Sequence, residues 1–325
     1  MQLLSRRHLL TLAGALATSR VGAQSYPTKP IRLVVPWPAG GPTDVVARHL
    51  SNDWQTRLGW TTIVENKPGA SGLIGHEDVR RQPADGHTLM PLVTPAVLNY
   101  KFLNRSFSLP AEFTPIGMVY SQYLVMVVNP AVAITTDVRT VKDLMALAKA
   151  APGQLSFTSA GNGSMGHLTT SLLCNQSRVS MTHIPYRGDA PAMTDVLSGT
   201  VPVMFASSTT ALPYIRNGRL RAIAVSSSGR VAELPDVPTL TESGYAGVTA
   251  APWFGLVAPP GMPSELVTRL TDVLKETLSI PEIQRKLVAV GVTPNYLPPK
   301  EFAEYVNRDF AVWGKVITDN NIQLG

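Results

Sequence analysis

One local pattern occurs twice in this sequence, and it constrains the fold more than any other feature. In each copy an apolar run leads into a glycine-rich turn and then into a helical pattern. The first turn lies at residues 37–44 and the second at residues 160–167. Gly161 follows Gly40 by 121 positions. A strand, a glycine-rich turn and a helix in succession form an α/β unit, so the repeat predicts two similar α/β lobes.

A second repeated segment follows the first in the same order. The apolar residues 62–64 lead into the turn 66–72, and residues 182–185 lead into the turn 186–191. Gly188 in the later turn comes 119 positions after its counterpart in the earlier one, Gly69, which agrees closely with the first spacing. Helices that begin after such turns present unpaired N–H groups and partial positive charge. We therefore expect the two lobes to share a cleft that suits an anion.

Composition restricts the class of protein. A hydrophobic content of 44% and a charged content of 15% are typical of a folded chain and exclude a disordered one. With 325 residues, the chain is long enough for two ordinary domains. The formal charge of +6 falls to +3 without Arg6, Arg7 and Arg20, because 25 basic residues then stand against 22 acidic ones. This mild, scattered charge predicts no nucleic-acid partner.

Residues 1–23 have the features of an export signal. Ser5-Arg6-Arg7-His8 is a positive start, residues 9–17 are apolar, and the small residues 21–23 suit cleavage before Gln24. The apolar part is too short to span a bilayer, which takes roughly 20 residues. We therefore expect a periplasmic protein, exported by the general secretory or the twin-arginine route.

The rest of the sequence alternates short apolar strands with helices, which is typical of mostly parallel sheets covered by helices. We predict an α/β fold with two lobes and a cleft between them. The predicted strands are residues 31–36, 62–65, 88–94, 123–129, 155–159, 181–185, 203–206 and 220–226. The predicted helices are residues 45–58, 72–81, 141–150, 166–175, 190–198, 264–279, 282–290 and 300–320.

Two apolar strands are interpreted as crossings between the lobes. Residues 123–129 lead into lobe two, and residues 249–257 lead back. Lobe one then comprises residues 24–125 and 249–325, and lobe two comprises residues 126–248. Folds of this kind bind ligands in the cleft between lobes, at the carboxyl ends of their parallel strands.

The segment Gly161-x-Gly163-x-x-Gly166 matches the dinucleotide-binding fingerprint, since it follows a predicted strand and opens a predicted helix. The fingerprint also needs an acid about 20 residues further on, at the end of the next strand. The first acid there is Asp189, which is 28 residues after Gly161. We favour the simpler interpretation that the glycines let a ligand approach backbone N–H groups, and we expect no cofactor.

Ser164 lies in a near match to the nucleophile elbow of serine hydrolases, although Asn162 stands where that motif has glycine. His183 or His167 could serve as its base, but nothing in the sequence places an orienting acid beside either. A secreted α/β serine hydrolase using Ser164 is the alternative function. Otherwise Ser164 is a helix N-cap whose hydroxyl completes an anion pocket, and His167 faces the cleft or a neighbouring turn.

Other chemistry-bearing residues allow fewer conclusions. The histidines include no pair at i, i+4 spacing, so a zinc site is not expected. Cys174 is the single cysteine, so it forms no intramolecular disulfide, and we expect it to pack as a small buried side chain. Trp37 either packs under its loop or lines the ligand site. Asp44 stands in a first helical turn, where an acid complements the helix dipole.

Several segments, in order along the whole mature chain, carry a family resemblance. They are Tyr26-Pro27-x-Lys29-Pro30-Ile31-Arg32, Pro38-Ala39-Gly40-Gly41-x-x-Asp44, Glu65-Asn66-Lys67-Pro68-Gly69-Ala70, Asp85-Gly86-x-Thr88-Leu89, Ser159-Ala160-Gly161-x-Gly163-Ser164-x-x-His167-Leu168, Pro185-Tyr186-x-Gly188-x-x-Pro191-Ala192, Leu234-Pro235-Asp236-Val237-Pro238-Thr239 and Trp253-Phe254-Gly255. The chain thereby resembles the Bug family, the extracytoplasmic solute receptors of tripartite tricarboxylate transporters. The resemblance implies a type II periplasmic-binding-protein (Venus flytrap) fold that closes on small carboxylates. It also implies membrane transporter subunits, or a sensor protein, as partners.

In that family the loop after the first strand and its counterpart in lobe two hold a carboxylate, partly through bridging waters. Carried over to this sequence, the resemblance implies contacts from Ala39, Gly40, Gly41, Thr43, Asp44, Ser159, Gly161, Asn162 and Ser164. The predicted site is completed by residues of the same turns and strand ends, namely Trp37, Ser71, Thr94, His167, Gly188 and Asp189.

Departures from the family pattern bear on the ligand. Ser71 stands where many relatives have glycine, and Leu73 where asparagine is common. The strand 203–206 ends in Ala206, where relatives often carry aspartate. Because loss of that acid removes a partner for an ammonium group, we expect a ligand without an amino group. The expected protein is a monomeric, non-catalytic receptor.

Overall fold

The computed structural model describes residues 26–246, 248–290, 292–319 and 321–322, but not the side chain of Ser71. The export signal predicted at residues 1–23 lies outside the described residues. The strands are β1 (Ile31–Val35), β2 (Thr62–Asn66), β3 (Thr88–Val93), β4 (Thr114–Ser121), β5 (Leu124–Val128), β6 (Ser156–Ser159), β7 (Thr182–Pro185), β8 (Val203–Ser207), β9 (Arg221–Val225), β10 (Trp253–Ala258) and β11 (Thr293–Leu297). The helices are α1 (Pro42–Leu58), α2 (Leu73–Arg80), α3 (Thr94–Phe102), α4 (Leu109–Glu112), α5 (Val141–Ala150), α6 (Met165–Ser177), α7 (Asp189–Ser198), α8 (Ser208–Arg216), α9 (Ser264–Ser279), α10 (Pro281–Ala289) and α11 (Pro299–Asp319).

Local sequence accounts for many of these elements. Strands β3, β5, β8 and β10 are buried at every residue, which explains their continuous apolar runs. Helix α5 starts with a capping box, in which the Thr140 hydroxyl accepts the Asp143 N–H and the Asp143 carboxylate accepts the Thr140 N–H. Helix α1 ends at Gly59, whose left-handed backbone is the usual helix stop.

The strands form two sheets, and each sheet contains three adjacent parallel strands. The first sheet has the order β11-β4-β10-β3-β1-β2, and β1 is parallel to both β2 and β3. The second has the order β7-β6-β8-β5-β9, and β6 is parallel to both β7 and β8. The trio β2-β1-β3 thus corresponds to the trio β7-β6-β8. This correspondence confirms the two similar α/β lobes predicted from the repeated turns.

Both sheets are mixed, so the expectation of mostly parallel sheets was wrong in this detail. Strand β10 is antiparallel to β3, and β5 is antiparallel to β8. The reason is the path of the chain between the sheets. Each crossing strand enters its sheet at the edge where the parallel strands end, so it must run in the opposite direction.

The two crossings lie side by side. The chain passes from the first sheet to the second through Gln122 and Tyr123, which join β4 to β5. It returns at β10, and the Gln122 N–H donates to the Pro252 carbonyl oxygen at 2.8 Å. Crossings were expected near both positions, and both are present. The predicted domain limits, residues 24–125 with 249–325 and residues 126–248, stay a prediction.

Each sheet has helices packed on both faces. Helices α1, α9 and α10 cover one face of the first sheet, and α2, α3, α4 and α11 cover the other. Helices α5 and α6 cover one face of the second sheet, and α7 and α8 cover the other. Helix α11 places Phe302 and Val306 in the core of the first domain but Trp313 and Ile317 in that of the second. It therefore packs against both domains.

Cys174 is buried in α6, as expected, and burial raises the pKa of its thiol to about 11. Such a thiol is protonated and unreactive at neutral pH. In the part of the chain that the structure describes, no helix combines the length and the apolar character that crossing a membrane requires.

Candidate ligand-binding site

The N-termini of six helices lie at the carboxyl ends of the parallel strands in the two sheets, and these strand ends form one side of each sheet, here called its edge. Strands β1, β2 and β3 are each followed by a helix, and so are β6, β7 and β8. Within each trio the strands are parallel, so their carboxyl ends meet at one edge. Both crossings leave from these same edges, since Trp253 pairs with Ser121 and Leu124 pairs with Ser207. The edges therefore face each other across the hinge.

The loop between β1 and α1 is held by the Asp44 carboxylate. Its Oδ2 accepts the Gly40 N–H and the Arg48 Nε–H, each at 2.9 Å, and its Oδ1 accepts from the Asn66 amide at 2.9 Å. Although burial acts in the opposite direction, these hydrogen bonds lower the pKa of Asp44. Asn66 also donates to the Trp37 carbonyl oxygen, which ties this loop to β2. Asp44 is thus a support of the loop, and the Gly40 N–H is already donated to it.

The rest of this loop is more open. Ala39 is exposed, whereas Gly41 and Thr43 are half-buried. Helix α1 begins with Pro42 and has no side-chain cap. Since Pro42 has no N–H, the first donors of the helix are the N–H groups of Thr43 and Asp44, which have no acceptor within the helix.

Trp37 packs against the turn that precedes α2 and remains half-exposed at the carboxyl end of β1. A Cβ on Gly72 would lie 3.7 Å from its Cζ2 and 3.3 Å from the Ala96 Cβ, so the indole is wedged beside the turn that precedes α2. Its Nε1 is buried and makes no hydrogen bond to the described residues. The two sequence interpretations of Trp37, packing and lining, are therefore compatible.

Two further predicted residues follow β2 and β3. Ser71 lies in the 3₁₀ turn Ala70–Gly72, and its side chain lies outside the described part of the chain. Thr94 begins α3 and is 1% exposed. Its hydroxyl accepts the Trp253 N–H at 3.1 Å, which fixes β10 to the end of β3. The structure therefore gives Thr94 a role at the hinge.

The loop between β6 and α6 is also braced from within. The Gly161 N–H donates to the Ser159 hydroxyl at 3.2 Å, and the Ser164 N–H donates to the Gly161 carbonyl oxygen at 3.1 Å. Ser164 is the N-cap of α6, as one interpretation of the sequence predicted, and its hydroxyl accepts the His167 N–H. The first N–H groups without an acceptor inside the helix are therefore those of Met165 and Gly166.

Two stacked histidines lie behind this loop. The ring centroids of His167 and His183 are 4.0 Å apart and their planes are nearly parallel, and Phe157 stacks on His183 at 4.8 Å. The Gly163 N–H donates to the His167 Nδ1 at 3.1 Å, and the His183 Nε2 bonds the Ser159 hydroxyl at 2.8 Å. Burial lowers the pKa of both histidines to about 4. Both rings are therefore neutral at pH 7, and they position the loop.

Gly188 and Asp189 follow β7 and connect its end to the ends of β6 and β8. The Gly188 N–H donates to the Ala160 carbonyl oxygen at 3.1 Å. Asp189 begins α7, and its Oδ2 accepts the Ser207 N–H at 3.1 Å and the Ser207 hydroxyl. Burial raises the pKa of Asp189, while the two bonds from Ser207 act against that rise. Asn162 is half-buried in the loop just before the Ser164 cap.

These contacts bear on the two enzymatic alternatives. Among the hydrogen bonds of the described residues, neither histidine ring bonds the Ser164 hydroxyl. The His167 Nδ1 accepts the Gly163 N–H, and the His183 Nε2 bonds the Ser159 hydroxyl. Ser159 does contact a histidine, but it is 0% exposed and cannot reach a substrate. The Gly161–Gly166 turn does link a strand to a helix, as the dinucleotide motif requires. However, β7 ends at Pro185 without the acid that would bind a ribose.

A cavity of about 530 Å³ lies between α8 and the segment joining α10 to β11. Tyr123, Ser208, Arg216 and Thr293 are among its lining residues. Among the described residues that line it, none belongs to the predicted site. The described chain also holds no group of three or more His, Cys, Asp or Glu side chains suited to a metal ion.

Some supporting residues were not singled out from the sequence. Asn66 belongs to a quoted motif, but its bridge to Asp44 depends on the pairing of β1 with β2. His183 was considered only as a base for Ser164, and its contact with Ser159 follows from the pairing of β6 with β7. Ser207 ends β8, the third strand of its trio, and matches the position of Thr94 after β3. That correspondence could have identified Ser207.

Two α/β domains joined by adjacent crossings, with helix N-termini facing each other, define the class of periplasmic binding proteins, and solved structures agree. The periplasmic binding protein BugD is 32% identical, with a TM-score of 0.75, and the match covers 92% of this chain and 99% of that one. A protein of R. palustris solved with adipate is 30% identical, with a TM-score of 0.79, and the match also covers 92% and 99%. The two-lobed fold is thereby confirmed.

The family follows from the sequence comparisons. The profile of the tripartite tricarboxylate transporter family receptors matches residues 46–322. The BugT protein of Bordetella pertussis is 33% identical over 317 residues, which cover 96% of this chain and 96% of that protein. The chain therefore belongs to the tripartite tricarboxylate transporter receptor family, and the resemblance to the Bug family is confirmed.

Proposed function

We propose that this protein is a periplasmic solute receptor that captures a small carboxylate between its two domains. It then delivers the ligand to the membrane subunits of a tripartite tricarboxylate transporter or to a sensor protein. One observation carries the proposal, namely the pair of facing loops that precede α1 and α6 in a chain of this receptor family. The adipate in the R. palustris relative supports a carboxylate as the ligand class.

The proposed contacts differ in part from the predicted ones. The N–H groups of Gly40, Gly161 and Ser164 are used inside their own loops. We assign the ligand carboxylate to the next donors, the first-turn N–H groups of α1 (Thr43 and Asp44) and of α6 (Met165 and Gly166). Ala39, Gly41 and Asn162 line the approach to these donors, and Trp37 and Ser71 border it.

The expected binding energy is sufficient without an arginine clamp. Micromolar affinity requires about 8 kcal/mol. Two helix N-termini supply up to ~2 kcal/mol each in partly buried geometry. Each hydrogen bond to a charged group adds roughly 1.5–3 kcal/mol. Closure of the domains would exclude water and strengthen all of these terms.

We further propose a ligand without an amino group and a receptor that is monomeric and non-catalytic. Ala206 ends the apolar part of β8, where an aspartate would offer a partner for an ammonium group. Titration calorimetry with hexanoate and its 2-amino derivative norleucine compares the two ligand types on one carbon skeleton. Tighter binding of norleucine would contradict this part of the proposal.

The Ser164→Ala variant separates the receptor from the hydrolase. A thermal-shift screen against a carboxylate panel first identifies a ligand, because a ligand that binds only the folded protein raises its melting temperature. We expect Ser164→Ala to lower the affinity for that ligand by about two- to tenfold, which is the effect expected from the loss of one hydrogen bond. The matched control is Ser228→Ala, at an exposed position of the second domain, which should bind like the wild type. Hydrolysis of p-nitrophenyl esters that disappears in Ser164→Ala would favour the hydrolase instead.

A further inference from the structure

Helix α11 contributes to the cores of both domains, and Asp309 lies between the two sets of core residues. Phe302 and Val306 belong to the core of the first domain, whereas Trp313 and Ile317 belong to that of the second. The helix also contacts α6, whose N-terminus is part of the candidate site. When the domains rotate against each other, the two ends of α11 follow different domains. The change in the helix therefore falls on the part around Asp309.

The Asp309 carboxylate connects this part of α11 to the hinge. Its Oδ2 accepts the Trp253 Nε1–H at 2.9 Å. Trp253 is the first residue of β10, is 1% exposed, and donates its backbone N–H to the Thr94 hydroxyl. It also pairs with Ser121, which ends β4 just before the chain crosses to the second sheet. One side-chain hydrogen bond therefore connects α11 to the place where both crossings begin.

The charge of Asp309 depends on pH in the range near neutrality. The side chain is half-buried, and burial raises its pKa to about 6, although the Trp253 hydrogen bond and the Arg308 charge act in the opposite direction. Above that pH the ionised carboxylate accepts the indole N–H in a charge-assisted hydrogen bond. Below it the neutral acid accepts the same N–H in a weaker bond. The strength of the contact between α11 and β10 therefore changes with pH.

Other titratable and charged groups surround this part of the helix. Arg308 and Tyr305 flank Asp309 on α11, and burial raises the pKa of Tyr305 to about 12. The elements packed against α11, namely α3, α4, α6, β4, β10 and β11, carry Tyr100, Lys101, Glu112, His167, Cys174, Tyr120 and Tyr296. Burial raises the pKa of these tyrosines and of the cysteine, and it lowers that of His167 to about 4. Of the groups with a shifted pKa named here, only Asp309 changes its charge between about pH 5 and about pH 7.5.

We propose that Asp309 is a proton-dependent brace of the hinge, meaning a contact that holds α11 against β10, and that its protonation weakens domain closure. The inference deepens the proposed function and rests on it, since it assigns a form of regulation to the same cleft. A braced hinge restricts the empty protein to fewer domain orientations, so less conformational freedom is lost when the domains close on a ligand. Loss of the brace is therefore expected to lower the affinity.

Hydrogen–deuterium exchange of the ligand-free protein tests the brace itself. Peptides covering residues 249–256 and 305–314 are compared at about pH 7.5 and about pH 5, after correction for the intrinsic pH dependence of amide exchange. In the wild type, their exchange should be about two- to tenfold faster at the lower pH, the difference expected between a charged and a neutral hydrogen bond. Asp309→Asn keeps an oxygen acceptor for the indole but cannot ionise, so it should show the faster exchange at both pH values. The matched control is Glu304→Gln, which removes an acid from an exposed position of the same helix and should behave like the wild type.

Titration calorimetry at the same two pH values tests the effect on closure. The probes are hexanoate, adipate and any tighter acid of the carboxylate screen. Protonation of the acid itself lowers the affinity equally in every protein, so the comparison between proteins isolates Asp309. On going to the lower pH, the wild type and Glu304→Gln should lose about two- to tenfold more affinity than Asp309→Asn does.

Three results would overturn the inference. They are equal exchange at both pH values in the wild type, the wild-type pH dependence in a folded Asp309→Asn protein, and a change in exchange without the difference in affinity. If Asp309→Asn does not fold, Trp253→Phe replaces it, because it removes the donor and should show the faster exchange at both pH values. The wild-type exchange alone can overturn the inference if neither variant folds. Lack of binding by every acid would overturn the proposed function, while the exchange result would still decide whether Asp309 braces the hinge.

Discussion

At the scale of single residues, the candidate site depends on side chains that hold loops in place. Asp44 and Ser164 were expected at helix starts, and both occupy these positions. Their bonds explain why both glycine-rich turns have a fixed shape, since Asp44 accepts the Gly40 N–H and Ser164 caps α6. His167 and His183 extend this support in the second domain.

The histidine pair predicts a pH dependence of stability. Burial lowers the pKa of His183 from 6.5 to about 4, so the unfolded chain takes up its proton at a higher pH than the folded chain does. The stabilisation is present above pH 6.5 and is lost as the pH falls toward 4. Urea unfolding at about pH 7 and about pH 4.5 should show that the wild type loses about 2 kcal/mol more than His183→Gln does. An equal loss in both proteins would contradict this role.

At the scale of elements, the start of α6 is set by its contact with β8. A Cβ on Gly166 would collide with the Phe205 carbonyl oxygen, so only glycine lets the helix lie this close to the strand. The sequence indicated this glycine only as part of the dinucleotide fingerprint and of the near match to the nucleophile elbow. The structure assigns it to packing that positions the first donors of α6.

Gly166→Ala is therefore expected to destabilise the protein by about 1–3 kcal/mol, because the collision is with backbone that cannot rotate away. It should also weaken the binding of the ligand found by the carboxylate screen, since the N-terminus of α6 must shift. The control is Gly229→Ala, where an added Cβ meets no atom within 4 Å and the backbone is unstrained. Denaturant melts that place both variants within about 0.5 kcal/mol of the wild type would show that the contact can relax.

Elements with a periodic apolar pattern, or with a glycine-rich turn before them, were predictable from the sequence, and the others were not. Helices α1, α6 and α7 follow glycine turns, whereas α3 and α8 follow β3 and β8 without one and were missed. Strand β4 contains Pro115 and Gly117 and pairs with shifts in register, which removes the usual strand pattern. Strand β11 has Pro294 near its start and lies at a sheet edge. These elements are set by tertiary pairing that the local sequence does not encode.

At the scale of the whole molecule, two copies of one strand order face each other and share a hinge. The repeat in the sequence was sufficient to predict two lobes, a cleft and its helix N-termini. The mixed sheets, the passage of α11 between the two cores and the bridge from Asp189 to Ser207 depend on contacts between distant residues. The first turns of α1 and α6 face each other only because the crossings join the sheets at the same edge.

A crystal structure of the mature protein with the tightest-binding acid of the carboxylate screen tests this account most directly. The carboxylate is expected between the domains, about 2.7–3.2 Å from first-turn N–H groups of both α1 and α6. A ligand bound at saturating concentration in the cavity beside Tyr123 and Arg216, or contacting only one domain, would contradict it.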